Sequence, residues 1–239
     1  MKITYIGHSG FLVETQNVNF IFDYYSGEIP RMPAEKPLYV LVSHKHADHF
    51  NPEIFQLEEK YSHIKFLLSY DIKVTPYQLE KWKVSEGVEE KITTIKAHEN
   101  YELSECALTT LKSTDSGVAF LVFVNGQTIY HGGDLNWWCW EGETKQESHN
   151  MTANFKREIE RLSNIFIDVA FLPIDPRQEA LYYLGMEYFM EHVQTGRVFP
   201  MHFWEDFSIC DKFLLEGHCK GKETVIQKIH RTGETFTIQ

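Results

Sequence analysis

The sequence predicts an α/β fold in which two β-sheets pack on each other with helices outside. Three observations lead there. Short apolar, β-leaning runs crowd the first part of the chain and recur from Ile92 to Tyr130; a long helix-patterned stretch follows; and from Val169 onward strands and helices alternate. No solenoid-type repeat, low-complexity tract or linker breaks the pattern, and 239 residues are enough for one large domain with a substantial core.

Taken in order, Lys2–Ile6 reads as a strand and Gly7-His8-Ser9-Gly10 as a tight turn where glycine supplies unusual backbone angles. Phe11–Glu14 and Val18–Phe22 are strands joined through Gln16-Asn17, and Asp23 ends the third. Tyr39–Val42 is a buried strand. Asn51-Pro52 then reads as an N-cap followed by proline at the first helical position, opening a helix from Glu53 to about Tyr61. Ile64–Leu68 is a strand, and Thr75-Pro76 caps a helix to about Lys83. Strands are expected at Ile92–Ile95, Leu108–Leu111, Val118–Val124 and Thr128–Tyr130, with Asn125-Gly126 the strongest hairpin signal of the chain. A helix from about Asn150 to Ser163 and a strand Val169–Leu172 come next. A helix Met186–Val193, ended by Gly196, precedes Val198-Phe199 and Pro200-Met201-His202. The C-terminal part reads as a helix around Ile209–Leu215 and two strands, Val225–Ile229 and Thr235–Ile238.

Between the strand at Tyr39 and its helix stands Ser43-His44-Lys45-His46-Ala47-Asp48-His49-Phe50, with three imidazoles and one carboxylate in six positions. An extended backbone points His44 and His46 to the same side, so Asp48 and His49 must point elsewhere, which favours two adjacent metal positions over one. Imidazole and carboxylate together suit zinc, iron(II) or manganese. Four further places put a polar candidate at the end of a strand: Asp23, Ser113–Ser116, Asp134 and His202.

Composition narrows the partners. A net charge of −11 and the absence of a basic run argue against a nucleic-acid surface. Cys106, Cys139, Cys210 and Cys219 form no CxxC pair, which points to reduced thiols. The N-terminus lacks a signal-peptide apolar region and no run approaches membrane-spanning length, so a cytoplasmic protein without a membrane partner is expected.

The order HxHxDH, Gly-Asp after a hairpin and a late His after a strand resembles the metallo-β-lactamase superfamily, and the resemblance covers nearly the whole chain, residues 1–239, as one domain. The Gly7-His8-Ser9-Gly10 opening is similar to the branch containing ascorbate-phosphate lactonase. The resemblance implies a four-layer αββα sandwich of two mixed sheets with a dinuclear metal site at one edge. It implies that His44 and His46 bind one metal, that Asp48, His49 and His202 bind the other, and that Asp134 bridges them. Asp23 would stand behind the ligands, holding the HxH loop or orienting an imidazole. It further implies hydrolysis of a small ester, lactone or phosphoester through metal-activated water, with Asp48 as ligand and proton acceptor. A phosphodiesterase or nuclease using the same centre, or a metal-binding protein without turnover, are the alternatives. The oligomeric state is left open.

One departure stands out. The family's third histidine for the first metal is absent from Lys112–Gly117; of the residues in its place, Asp115 is the conventional ligand. Zinc is the expected metal, as one or two ions, and a carboxylate at that position would favour manganese or iron. Unequal affinity of the two positions is expected. His8, in its glycine-rich turn, is expected to line the site, and so is a tryptophan of the segment after Asp134, Trp137 first among them. Cys139 reads as a core thiol more than as a ligand.

Overall fold

The computed structural model of the chain describes residues 1–238. Strands β1 (Lys2–Gly7), β2 (Gly10–Glu14), β3 (Asn19–Phe22), β4 (Leu38–Val42), β5 (Ile64–Ser69) and β6 (Ile92–Ile95) form the first sheet. Strands β7 (Asn100–Glu102), β8 (Ala107–Lys112), β9 (Val118–Val124), β10 (Gln127–His131), β11 (Ile167–Pro173) and β12 (Thr195–Met201) form the second. The last strand, β13 (Thr235–Thr237), returns to the first sheet, giving the orders β13-β1-β2-β3-β4-β5-β6 and β12-β11-β10-β9-β8-β7. Both sheets are mixed: β3 to β6 run parallel to their neighbours while β13, β1, β2 and β3 are antiparallel, and β10, β11 and β12 are parallel while β7 to β10 are antiparallel. With helices on the outer faces this is the αββα sandwich.

Period-two burial sorts the first sheet's side chains between two cores. Phe11, Val13, Phe20, Phe22, Tyr39 and Leu41 face the second sheet. Leu12, Ile21, Leu38, Val40 and Val42 face outward, onto Phe50, Ile54 and Phe55. Among the described residues four α-helices complete the layers: α1 (Pro76–Lys81), α2 (Lys145–Glu160), α3 (Leu184–His192) and α4 (Ile209–Leu215). Among the described residues no helix is long and apolar enough to cross a membrane.

Local chemistry accounts for most element ends. The Asn51 side chain accepts from the backbone N–H of Glu53 as expected, but the turns that follow, Pro52–Glu59, are 3₁₀ and not α. Helix α2 starts earlier than its apolar spacing indicates, because Thr144 and Glu147 form a reciprocal capping box. Gly196 does not end α3; it lies inside β12, and the helix closes through the Val193 N–H on the carbonyl of Phe189. Val225–Ile229 is not a strand either: a 3₁₀ turn occupies Glu223–Val225, and only Ile226 bridges to Val198. The short edge strand β7 has too little apolar alternation to be read from sequence.

Candidate metal centre

The loops at one edge of the two sheets bring the sequence's candidates together. Ser43–Phe50 leaves the end of β4, and two glycines let the second sheet close on it. A Cβ at Gly117 (φ +69°) would lie 1.9 Å from the Ser43 carbonyl oxygen, and one at Gly133 (φ +50°) would lie 2.6 Å from the Ser43 Cβ. Only glycine fits these contacts. They carry Asp115 and Asp134 to the histidine loop, while Thr114 ties its own turn to the Asn136 backbone at 2.6 and 3.0 Å. From the other side, His202 at the end of β12 donates its backbone N–H to the carbonyl of His8 at 3.1 Å. His8, Asp23 and His202 all adopt left-handed backbone, with φ of 52, 40 and 66°. Strain of this kind gathers where surrounding structure fixes a functional geometry.

Eight side chains fall into two groups whose ligand atoms lie within 4.8 Å of one another: His8, Asp48, His49 and His202, and His44, His46, Asp115 and Asp134. Asp134 also faces the first group. Its Oδ2 is 3.4 Å from His44 Nε2, and its Oδ1 is 3.1 Å from His49 Nε2 and 3.3 Å from His202 Nε2. Asp48 Oδ2 is 3.4, 3.8 and 3.9 Å from the Nε2 atoms of His8, His202 and His49. His46 Nδ1 is 3.4 Å from Asp115 Oδ2. Every candidate ligand read from the sequence is therefore at one centre. His8, expected to line the site, stands in the first of these groups.

The Nδ1 atoms of His49, His202 and His44 are occupied. His49 Nδ1 is 2.8 Å from Asp23 Oδ2, and His202 Nδ1 is 3.0 Å from Asp175 Oδ2. Asp23 accepts the Ser43 backbone N–H and hydroxyl at 2.7 and 2.6 Å, which leaves the Ser43 oxygen to accept from His44 Nδ1 at 3.0 Å. With protons on the three Nδ1 atoms, the three Nε2 atoms present lone pairs to the centre. These Nε2 atoms, both ring nitrogens of His8 and Asp134 Oδ1 are buried without a hydrogen-bond partner among the described residues. Acceptors packed this closely need a cation between them, and one proton cannot serve them all. Ligand atoms about 2.0–2.2 Å from a tetrahedral ion sit about 3.3–3.6 Å apart, in the range of these spacings. The residues fit a divalent metal.

Electrostatics agrees. Burial pushes His8 and His44 down to about 4, so both are neutral, lone-pair donors at neutral pH. His49 is the exception: burial pulls it the same way, but Asp134 and Asp23 outweigh it and favour its protonated form, a positive charge that a metal ion would supply in the proton's place. Burial alone would raise Asp48 and Asp134; the surrounding histidines overcome it and hold both below the usual carboxylate range. Asp115 differs: burial and then the charge of Asp134 raise it.

Two placements depart from expectation. Trp137 does not line the pocket; its ring packs on Phe155 and Tyr188 under the Lys156 ammonium. Trp138 and Trp140, stacked at 5.8 Å, line it instead, in a cavity of about 310 Å³ bounded also by His46, Asp48, Asp115 and His202. Asp175, behind His202, went unread, although its sequence signal matches that of Asp23: an aspartate just past the end of a strand. Cys139 is buried, its thiol raised by burial, and it joins neither ligand group.

A family profile described as beta-lactamase superfamily domain matches residues 2–202. The chain belongs to this superfamily. A UPF0173 metal-dependent hydrolase of Nanoarchaeum equitans is 31% identical over 181 residues, 73% of this chain and 71% of that protein. One from Desulforamulus reducens is 31% identical over 150 residues, 56% of this chain; the match spans 62% of that relative's own length. Among solved structures, the metallo hydrolase Igni18 of Ignicoccus hospitalis aligns over 100% of this chain and 99% of its own at 17% identity and a TM-score of 0.63. CmlA of Streptomyces venezuelae, a diiron β-hydroxylase, aligns over 99% of this chain and 54% of its own at 11% identity and a TM-score of 0.67. These similarities place the β-lactamase superfamily fold; a fold shared by a hydrolase and a hydroxylase leaves the chemistry to the site.

Proposed function

We propose that this chain is a metal-dependent hydrolase of a small ester, lactone or phosphoester, with zinc as the resident metal. The observation that carries the reading is the set of buried, unpartnered ligand atoms of His8, His44, His49, His202 and Asp134 turned on one centre. Asp48, His49, His202 and His8 would hold one ion, and His44, His46 and Asp115 a second, with an oxygen of Asp134 directed at each group. When bound, a divalent ion supplies Lewis acidity to a carbonyl or phosphoryl oxygen and lowers the pKa of water to near 7.

The chain's own residues do the rest. Asp48 lines the cavity as an ionised carboxylate beside His8, where it can orient a water and accept its proton. Asp23 and Asp175 fix the imidazole tautomers. Trp138 donates its indole N–H to the Asp134 carbonyl at 3.0 Å, which locks an apolar wall against the site. A cavity of about 310 Å³ suits a small molecule. Four buried free cysteines suit a reducing compartment, which supports a cytoplasmic protein as part of this reading.

The test is turnover of ester, lactone and phosphodiester panels by metal-assayed protein. Activity should vanish with chelator, return with Zn²⁺ or Mn²⁺, and fall about 10²–10⁴-fold in Asp48→Asn. Hydrolysis that survives both treatments rules the reading out.

A further inference from the structure

Arg177 stands beside the proposed metal centre and is the one permanently cationic side chain lining the cavity among the described residues. Asp48, Asp115 and Asp134 line the same space, so the guanidinium gives an otherwise acidic cavity a single positive wall. Its placement is unusually well fixed. One edge is bonded: Nε donates to both oxygens of Asp175 at 3.0 and 2.9 Å, and Nη2 donates to Oδ2 at 2.5 Å. Asp175 is fully buried, and the neighbouring Gln178 accepts from Asn136 Nδ2 and donates to the Trp137 carbonyl, each at 2.9 Å. Arg177 is thereby flanked by two anchored residues, Asp175 tied to His202 and Gln178 tied to the segment that follows Asp134. The rings of Trp204 and Trp140 lie 5.1 and 6.0 Å from its Cζ.

A guanidinium needed only to support Asp175 would be complete with that one edge. Here Nη1 makes no hydrogen bond within the described chain, while the side chain is 52% exposed. A planar fork held by one edge and flanked by aromatic rings keeps its remaining donors oriented in advance, the arrangement that recognises carboxylate and phosphate oxygens.

We propose that Arg177 binds an oxyanion of the substrate that is not part of the reacting bond. The molecule hydrolysed is then a small ester bearing a second, negatively charged group, seated on the Trp140–Trp204 side of the cavity. This rests on the hydrolase reading, and the experiment separates the two.

Zinc-loaded protein is assayed on nitrophenyl butyrate, its acidic counterpart nitrophenyl hydrogen glutarate, and the matching phosphonate-bearing ester. The unmodified protein should prefer the acidic esters by about ten- to a hundredfold in kcat/KM, mainly through KM, as expected for one charge-assisted hydrogen-bonded contact. The carboxylate and phosphonate arms identify which oxyanion is favoured. In Arg177→Met the acidic-to-neutral ratio should fall to about one, and Arg177→Lys, which keeps the charge without the fork, should recover part of it. Equal handling of acidic and neutral esters by the unmodified protein, or a preference that survives Arg177→Met, overturns the proposal. So does a lost preference that merely tracks lost zinc, which would make Arg177 a support for His202. If no ester is turned over, the hydrolase reading fails on this panel and binding decides the inference. Glutarate should then quench tryptophan fluorescence at lower concentration than neutral glutaramide, and the difference should disappear in Arg177→Met. Equal binding of the two overturns it.

Discussion

His49 and His202 are each gripped from behind by a buried carboxylate, Asp23 and Asp175, whereas His46 and Asp115 have side chains 44% exposed and face one another at 3.4 Å. The first pair belongs to a group whose three histidines are all buried, and the second is the exposed half of a group whose other members, His44 and Asp134, are buried. The difference teaches that two groups sharing a carboxylate need not share an affinity. An imidazole already fixed in tautomer and direction loses little freedom on meeting an ion, while an exposed His–Asp pair must be ordered and dehydrated first.

The comparison can be broken or sharpened by substitution. The largest effect belongs to Asp134, the residue both groups face. Asp134→Ala should lower activity roughly thousandfold and deplete both metals, as read by steady-state kinetics and elemental analysis. Retention of either ion at full strength would show that the groups do not depend on a common carboxylate. Next comes Asp175→Asn, which removes no candidate ligand but alters the carboxylate shared by His202 and Arg177. It should weaken the inner ion about 10–100-fold in competition with a chelating dye and leave the outer one much less altered.

Smaller still is Asp115→Asn, confined to the outer group. Purified protein should retain one ion through dialysis and take up a second only when metal is added, and Asp115→Asn should weaken that second step by several-fold. Asp115→His should strengthen it toward two equivalents. Two ions of matched affinity, indifferent to residue 115, would erase the distinction drawn between the groups.

The smallest effect lies outside both. Burial pushes the thiols of Cys106 and Cys219 up to about 12 and that of Cys210 up to about 11, from an ordinary 9.0. Because the folded values are raised, the stability these thiols contribute is fully present below about pH 9 and is lost as pH climbs toward 11–12. At pH 8 the native protein should resist iodoacetamide and the unfolded protein should react readily. Rapid labelling of Cys139, with loss of metal, would make that thiol a ligand.

What the sequence disclosed follows from how local each signal is. The run from His44 to His49 could be read because its residues are neighbours on one loop between a strand and an N-cap. Asp134 was legible through the Asn125-Gly126 hairpin that precedes it, and Asp115 through the place where a histidine was missing. Asp175 was hidden: an aspartate before a proline also caps the turn that follows, and it does so here by accepting from the Arg177 N–H. Whether it also held an imidazole depended on the parallel pairing of β11 with β12, a contact between segments distant in sequence. Trp137 and Trp138 are adjacent with similar side chains, and only the packing of α2 and α3 decides which of them turns from the pocket. Edges such as β7 and Glu223–Val225 were lost for the opposite reason, since few apolar contacts write a pattern there.

The bond between the His202 N–H and the His8 carbonyl has a consequence for biosynthesis. His8 leaves the ribosome well before His202, with the HxHxDH loop in between. A nascent chain can display His44, His46 and Asp48 to the surrounding metal pool long before β12 exists to complete the inner group. Any ion captured at that stage is held by an open, incomplete set and can exchange. A metal held by the complete inner group would therefore be selected only after β12 has paired with β11 and drawn His202 against the His8 turn.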